Sequence, residues 1–142
     1  MKLFKIILIA FIVFSAVPSF SAEWVLIEAI PSGGENSYYD KSRITIDNNK
    51  GVVWIWKKYS LDKEVTKASL KYKDYKYSIV YLGINCSEST TFVKSGFDYS
   101  TTGVVIENFN ETKDNFVPVA PDSHGEAILN FVCKVIVPKK DK

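Results

Sequence analysis

The chain has few of the residues from which metal, haem and phosphate sites are built. It contains one histidine and two cysteines among 142 residues, which leaves almost no donors for a zinc or haem centre. Its one pair of adjacent glycines, Gly33 and Gly34, is not followed by the Lys-Ser or Lys-Thr of a phosphate-binding loop. The sequence therefore predicts neither a metal site nor a cofactor.

Glycine and proline are scarce as well, and no charge of one sign dominates. Seven glycines and five prolines exclude collagen-like and low-complexity chains. Hydrophobic residues make up 46% of the chain and aromatic residues 14%, a composition that excludes a disordered chain. The length is that of one small globular domain.

Residues 1–21 have the pattern of a secretory signal peptide. Two lysines precede an apolar run, and Pro18 is followed by small residues. Cleavage after Ser21 places serine at both the −3 and −1 positions, which predicts a mature domain of residues 22–142 with a core at 24–134. The apolar run is about 12 residues long, whereas a spanning helix needs roughly 20.

Loss of the signal peptide changes the charge balance and sets the compartment. Without Lys2 and Lys5, 16 basic residues face 16 acidic ones, which argues against nucleic acid as a partner. No cysteine stands at the end of the apolar run, where a lipoprotein would carry its lipid, so we expect no lipoprotein and no membrane anchor. The mature protein is expected in the periplasm, at the cell surface or outside the cell. Disulfides persist there, and Cys86 and Cys133 are the single intramolecular pair available.

Hydrophobic patterning predicts an α+β domain: a single antiparallel β-sheet of about six strands with one C-terminal α-helix packed on one face. Turn residues such as Asn48-Asn49-Lys50-Gly51 separate the strands. Residues 61–73 allow either a loop or a short helix. The predicted strands are Trp24–Ile30, Ile44–Asp47, Val52–Tyr59, Tyr75–Cys86, Thr91–Tyr99 and Val104–Phe109.

The longest predicted strand alternates clearly between its two faces. Period-2 alternation puts Cys86 on an aliphatic face and a row of aromatic residues on the other. The aliphatic row is Val80, Leu82, Ile84 and Cys86, and the opposite row is Tyr75, Tyr77, Ile79 and Tyr81.

Ser123 and Glu126 have the spacing of a helix capping box. The helix that follows is apolar around most of its circumference and too short to be stable alone, so it must dock on the sheet. A bond between Cys86 and Cys133 would fasten it to the aliphatic face.

One surface pattern and one residue are the candidates for chemistry. Interleaved basic and aromatic residues can stack on bases or sugars, or bind sulfated polysaccharide. The alternative is an ordinary strand with tyrosines inward and lysines outward. His124 follows a helix N-cap and is expected at the surface, so we expect no catalytic residue and no enzyme. The candidate binding surface comprises Lys71, Tyr72, Lys73, Tyr75, Lys76 and Tyr77.

Several short motifs follow one another in a characteristic order along residues 24–134. They are the Trp24 strand, Tyr38-Tyr39-Asp40 with Ile44, Val53–Lys57, Tyr81–Cys86, and Pro121, Ser123, Glu126 and Cys133. Their order and spacing resemble the bacterial surface-adhesin protein E family. Phe116 stands where this family would lead us to expect tryptophan, and the lipid-accepting cysteine is absent.

This resemblance implies a sheet that carries a C-terminal helix tied to it by a disulfide. It also implies an exported, non-enzymatic binding protein whose ligands are host extracellular-matrix or surface proteins. A protein or a glycan is the expected partner, and a homodimer is a further alternative. The competing interpretation is a periplasmic protein-binding or inhibitor module with no role in adhesion.

Overall fold

The computed structural model describes residues 21–27, 36–60 and 73–137. Residues 61–72, for which the sequence allows a loop or a short helix, lie outside this part of the chain, as does nearly all of the predicted signal peptide. The strands are β1 (Trp24–Leu26), β2 (Tyr38–Asp40), β3 (Thr45–Asp47), β4 (Val52–Tyr59), β5 (Tyr75–Asn85), β6 (Thr90–Ser100), β7 (Val105–Asn110) and β8 (Val117–Pro118).

The strands form one antiparallel sheet, as predicted, in the order β1-β2-β4-β5-β6-β7. Two short strands lie off this path: β3 pairs with β4, and β8 pairs with β6. The sheet therefore has eight strands rather than the predicted six. The two strands beyond the predicted six are β2, which pairs with the end of β4, and β8, which pairs with the start of β6 where β7 does not reach.

Bulges interrupt the simple alternation of β5 and β6. Tyr75 pairs with Ser100, whereas Tyr77 pairs with Tyr99. Adjacent residues of a strand point to opposite faces, so Tyr75 and Tyr77 lie on opposite faces of the sheet. The prediction that they share a face is wrong, because the bulge inserts Lys76 between two paired positions.

Helix α1 (His124–Phe131) begins at the predicted cap. The amide of Glu126 donates to Ser123 Oγ at 3.1 Å, and Glu126 Oε2 accepts from the amide of Asp122 at 2.8 Å. The helix continues into a π-helical turn, Val132–Ile136. None of the helices in the described ranges is long and apolar enough to cross a membrane.

The hydrophobic core lies between α1 and one face of the sheet. Tyr39 and Phe131 extend it, with ring centres 5.4 Å apart. The sheet side chains in this core are those of the predicted aliphatic face, joined by their neighbours on β4. The buried members are Ile27, which follows β1, then Tyr39, Val53, Ile55, Leu82 and Ile84 from the sheet, and Ile128, Leu129 and Val132 from the helical segment.

Cys86 and Cys133 form the predicted disulfide. Their Cα atoms are 5.7 Å apart, and 47 positions separate them in sequence. The bond joins the end of β5 to the π-helical turn that follows α1. The helix is therefore fastened to the aliphatic face at its C-terminal end, which confirms the fold class.

Asp40 organises the edge of the sheet where the domain begins. Its buried carboxylate accepts from the amide of Glu23 at 3.0 Å and from the amide and hydroxyl of Ser42 at 3.0 and 2.6 Å. Arg43 Nε lies 3.1 Å from the other carboxylate oxygen. Ordered contacts of the domain thus include the second residue after the predicted cleavage site.

Candidate functional site

The sheet face opposite α1 is lined by aromatic side chains from three neighbouring strands. We call it the aromatic face. Most of its rings are partly exposed, and Phe92 is buried at one end. The register of β4, β5 and β6 places these residues side by side: Trp54, Trp56, Tyr77, Tyr81, Phe92, Phe97 and Tyr99.

A glycine allows the first row of this face to form. Trp54, Gly83 and Phe92 are paired across the three strands. A Cβ atom on Gly83 would lie 2.8 Å from the Trp54 ring, closer than non-bonded carbon atoms approach. The absence of a side chain at Gly83 therefore lets the Trp54 indole lie flat across β5.

The rings contact one another along the strands. Tyr81 lies between two indoles, with ring-centre distances of 5.0 Å to Trp54 and 4.8 Å to Trp56. Tyr77 and Tyr99 stack at 4.9 Å with an interplanar angle of 24°. Such offset pairs stabilise each other beyond the area they bury, so the surface is a set of mutually supported rings rather than isolated side chains.

Phe116 closes one end of the aromatic face. Its ring centre lies 6.1 Å from that of Trp54 and 5.7 Å from that of Phe92. Phe116 comes from the segment between β7 and β8, so this segment folds over the end of the sheet. The position where the family resemblance suggests tryptophan is thus an aromatic packing position.

A lysine lies at the other end of the aromatic face. Lys58 Nζ is 4.7 Å from the ring centre of Trp24, 5.3 Å from that of Tyr38 and 5.9 Å from that of Tyr77. Partial burial lowers the pKa of Lys58, and the nearby charge of Lys76 lowers it further. A cation over several ring faces is held electrostatically by the rings.

A small cleft of about 340 Å³ opens beside Trp24, one of the rings that Lys58 contacts. Trp24 and Trp56 contribute to its walls, and Arg43 lies at its edge. A cleft of this size can receive one side chain or one sugar ring of a larger ligand. The aromatic face therefore offers rings, a cation and a recess on one continuous surface.

The binding surface predicted from sequence does not stay together in the fold. Tyr77 belongs to the aromatic face, whereas Tyr75 lies on the opposite face, where its hydroxyl is 2.9 Å from Ser78 Oγ. Lys73 and Lys76 are exposed. Lys71 and Tyr72 lie outside the described residues.

Sequence reasoning missed the aromatic face as a unit. The alternation of Trp54 and Trp56 on β4 and of Tyr77 and Tyr81 on β5 is visible in the sequence. Only the pairing register brings these rows together, and register follows from the folded sheet rather than from any single strand.

A polar cluster at the start of α1 was also not expected. His124 Nε2 lies 3.3 Å from Ser37 Oγ, a residue that is fully buried. Burial lowers the pKa of His124, and the positive charge of Lys57 lowers it further. His124 is exposed at the surface, as the sequence predicts. The sequence does contain a signal for the burial of Lys57: alternation along β4 places this lysine on the same face as Ile55.

Comparison with known proteins gives the same architecture. A family model described as surface-adhesin protein E matches residues 24–134. A crystal structure of protein E from non-typeable Haemophilus influenzae is 18% identical, with a TM-score of 0.55, and the match covers 82% of this chain and 80% of that one. Another Haemophilus influenzae protein E structure is 16% identical, with a TM-score of 0.51 and coverage of 85% and 98%. No curated protein sequence matches significantly.

Proposed function

The chain belongs to the surface-adhesin protein E family, and from that premise we propose that it is an exported, non-enzymatic binding protein whose aromatic face contacts a protein ligand. The ligands we propose are host extracellular-matrix or surface proteins. The observation that carries this proposal is the contiguous array of partly exposed rings opposite the helix.

The chemistry of the aromatic face supports a protein partner. Tryptophan and tyrosine dominate the energetic centres of protein interfaces, because they bury a large area and lose little side-chain entropy. Lys58 adds a cation that a carboxylate of the partner can approach. Trp56 and Tyr81 stand near the middle of the array, where surrounding contacts exclude water most effectively.

A non-enzymatic role is supported by the surroundings of the single histidine. Ser37, the hydroxyl residue beside His124, is fully buried and is therefore out of reach of a substrate. No carboxylate contacts His124 in the ranges that the structure describes. The pair is better suited to joining α1 to the chain that precedes β2 than to nucleophilic catalysis, which needs an accessible hydroxyl.

Replacing Trp56 with alanine is expected to weaken ligand binding at least tenfold, as for a central interface residue. Binding of the purified mature domain to immobilised basement-membrane extract measures this effect. Phe109→Ala is the matched control, since Phe109 is an exposed aromatic residue on the opposite face of the sheet.

A second variant separates a loss of binding from a loss of folding. Lys58→Glu reverses the charge on the aromatic face at a partly exposed position and should also reduce binding. Equal binding by Trp56→Ala, Lys58→Glu and wild type would refute the aromatic face as the ligand site. Binding to immobilised glycans and not to the protein extract would show that the ligand is a glycan. Self-association in size-exclusion chromatography without binding to the extract would show that the aromatic face contacts a second copy of the chain.

Export is the second part of the proposal, and it predicts the mature N-terminus. We expect the exported protein to begin at Ala22, because serines occupy both small-residue positions before it. Contacts of the folded domain start at the next residue, whose amide donates to Asp40, so cleavage there leaves the domain intact. N-terminal sequencing of the exported protein checks this position.

Two substitutions at the cleavage site sharpen the test. Ser21→Ala keeps a small residue at −1 and should be processed normally, whereas Ser21→Leu should block cleavage. A secreted protein that retains Met1 would contradict the signal peptide. Labelling of intact cells with a membrane-impermeant amine reagent then separates a surface protein, which is modified, from the periplasmic module of the competing interpretation, which is not.

A further inference from the structure

A cavity of about 820 Å³ lies between the C-terminal part of the helical segment and the β3–β4 hairpin. Ile46 shows where the helix stops covering the sheet. It pairs with Val53 and therefore points to the same face as the core, yet 47% of Ile46 is exposed, against 3% of Val53. The aliphatic face thus continues beyond the helix and forms one side of an open recess.

The interior of this cavity is mainly apolar. Val53 and Leu129 are buried residues of its lining, and Cys86 and Cys133 form one wall. A half-open apolar recess of several hundred Å³ with a few polar groups is the usual form of a site for a small organic ligand. Nothing in the aromatic face contributes to it, because that surface lies on the other side of the sheet.

The shape of the helical segment keeps the cavity open. The amide of Val137 donates to the carbonyl of Val132 at 3.0 Å, a bond that closes the wide π-helical turn. Turns of this type recur at functional sites because they shift side chains away from regular helical positions. The disulfide through Cys133 ties this turn to the end of β5 and so fixes the position of that wall of the cavity.

Polar groups stand at the edge of the cavity, and one of them is charged. Asn48, Asn130 and Lys134 belong to its lining. Lys134 is exposed and has no acidic partner in the part of the chain that the structure describes, whereas Lys50 and Lys94 each pair with Asp114. The site therefore combines an apolar interior with hydrogen-bonding amides and a cation that has no acidic partner among the described residues.

We propose that this cavity binds a free aliphatic carboxylate, with its hydrocarbon chain against Val53 and Leu129 and its carboxylate directed toward Lys134. Burial of the chain supplies most of the binding free energy, since apolar area removed from water is the main favourable contribution. The lysine selects an anionic head over a neutral one. This site is separate from the proposed adhesive surface and goes beyond that function.

Titration of the mature protein with decanoate, below the concentration at which it forms micelles, tests the proposal. We expect saturable binding by calorimetry and a rise in melting temperature, since a ligand that binds only the folded state stabilises it. Ile46→Glu should weaken decanoate binding at least tenfold, because it places a negative charge at the apolar wall. Lys134→Gln should weaken it about threefold, as for an exposed ion pair.

Matched controls separate the cavity from general surface effects. Val135→Glu adds the same negative charge as Ile46→Glu. Val135 is 62% exposed and lies beside Lys134 on the π-helical turn, outside the cavity lining, so this variant should leave decanoate affinity unchanged. The wild type should bind decanol more weakly than decanoate. The affinity for decanol should be the same in Lys134→Gln and in the wild type, because decanol carries no charge for the lysine to attract.

Three results would overturn the proposal. These are the absence of saturable decanoate binding, equal loss in Ile46→Glu and Val135→Glu, and equal affinity for decanol and decanoate in the wild type. Lys58→Glu on the aromatic face should leave decanoate binding intact, so failure of the adhesive function and failure of this site give different results.

Discussion

Replacing Cys133 with alanine is expected to lower the free energy of unfolding by about 4 kcal/mol. The bond to Cys86 spans 47 positions. Closing a loop of that length lowers the conformational entropy of the unfolded chain, which corresponds to about 4 kcal/mol of free energy. Native disulfides in small secreted domains contribute about 2–5 kcal/mol. A domain of this size has only about 5–15 kcal/mol in total, so a large fall in melting temperature follows.

The position of the bond determines which part of the domain loosens first. Without it, the helical segment is held chiefly by the apolar contacts of Ile128, Leu129 and Val132, since its polar contact to Ser37 lies at the other end, at His124. The π-helical turn at Cys133 lies next to an open cavity rather than against a full layer of side chains. Limited proteolysis of Cys133→Ala should therefore cut first in the C-terminal helical segment.

Non-additivity distinguishes the bond from the thiols themselves. Cys86→Ala, Cys133→Ala and the double variant should lose nearly the same stability, because each removes one and the same covalent bond. Chemical denaturation of the oxidised wild type and the three variants measures this. A structural disulfide would be contradicted by a double variant whose loss of stability equals the sum of the two single losses. Two free thiols in wild-type protein isolated without reductant would contradict it as well.

The parts of the fold that follow from local pattern could be predicted from the sequence. The cap at Ser123, the aliphatic row that ends at Cys86 and the single available cysteine pair together place the helix on the correct face. Each of these depends on residues close in sequence or on a pattern of period two. The predicted number of strands is lower because β2 and β8 are only three and two residues long, too short for a clear alternation.

The features that escaped prediction depend on the pairing of strands or on irregular backbone. No residue type marks the bulge at Lys76, which turns Tyr75 away from Tyr77. The π-helical turn and the cavity beside it likewise follow from how the helix meets the hairpin. For this reason the candidate binding surface read from consecutive residues differs from the surface that the sheet assembles.

Replacing Lys57 with methionine is expected to raise the free energy of unfolding by about 3 kcal/mol at pH 7. Lys57 lies on the core face of β4, with its ammonium 4.2 Å from the ring centre of Tyr59, and no carboxylate pairs with it in the described ranges. Burial lowers the pKa of Lys57 from 10.5 to about 8. A difference of that size corresponds to about 3 kcal/mol between the charged and neutral forms. Methionine keeps the length of the side chain and removes the charge.

The pH dependence gives this prediction a definite sign. Below pH 8 Lys57 is charged in both the folded and unfolded states, and the folded state carries the full cost of the buried charge. Between about pH 8 and 10.5 the unfolded chain binds more protons, so the contribution of Lys57 to stability rises with pH. The advantage of Lys57→Met should therefore be full near pH 7 and vanish above pH 10.5.

His124 provides an independent measurement of the same charge. It is the single histidine of the chain, and its pKa is lowered first by burial and then by the charge of Lys57. Lys57→Met should therefore raise the pKa of His124, which NMR titration of one imidazole resonance reports directly. Lys113→Met, at an exposed position, should change neither this pKa nor the stability by more than about 0.5 kcal/mol. A destabilised Lys57→Met, or an advantage that persists above pH 10.5, would show that the lysine is not an uncompensated buried charge.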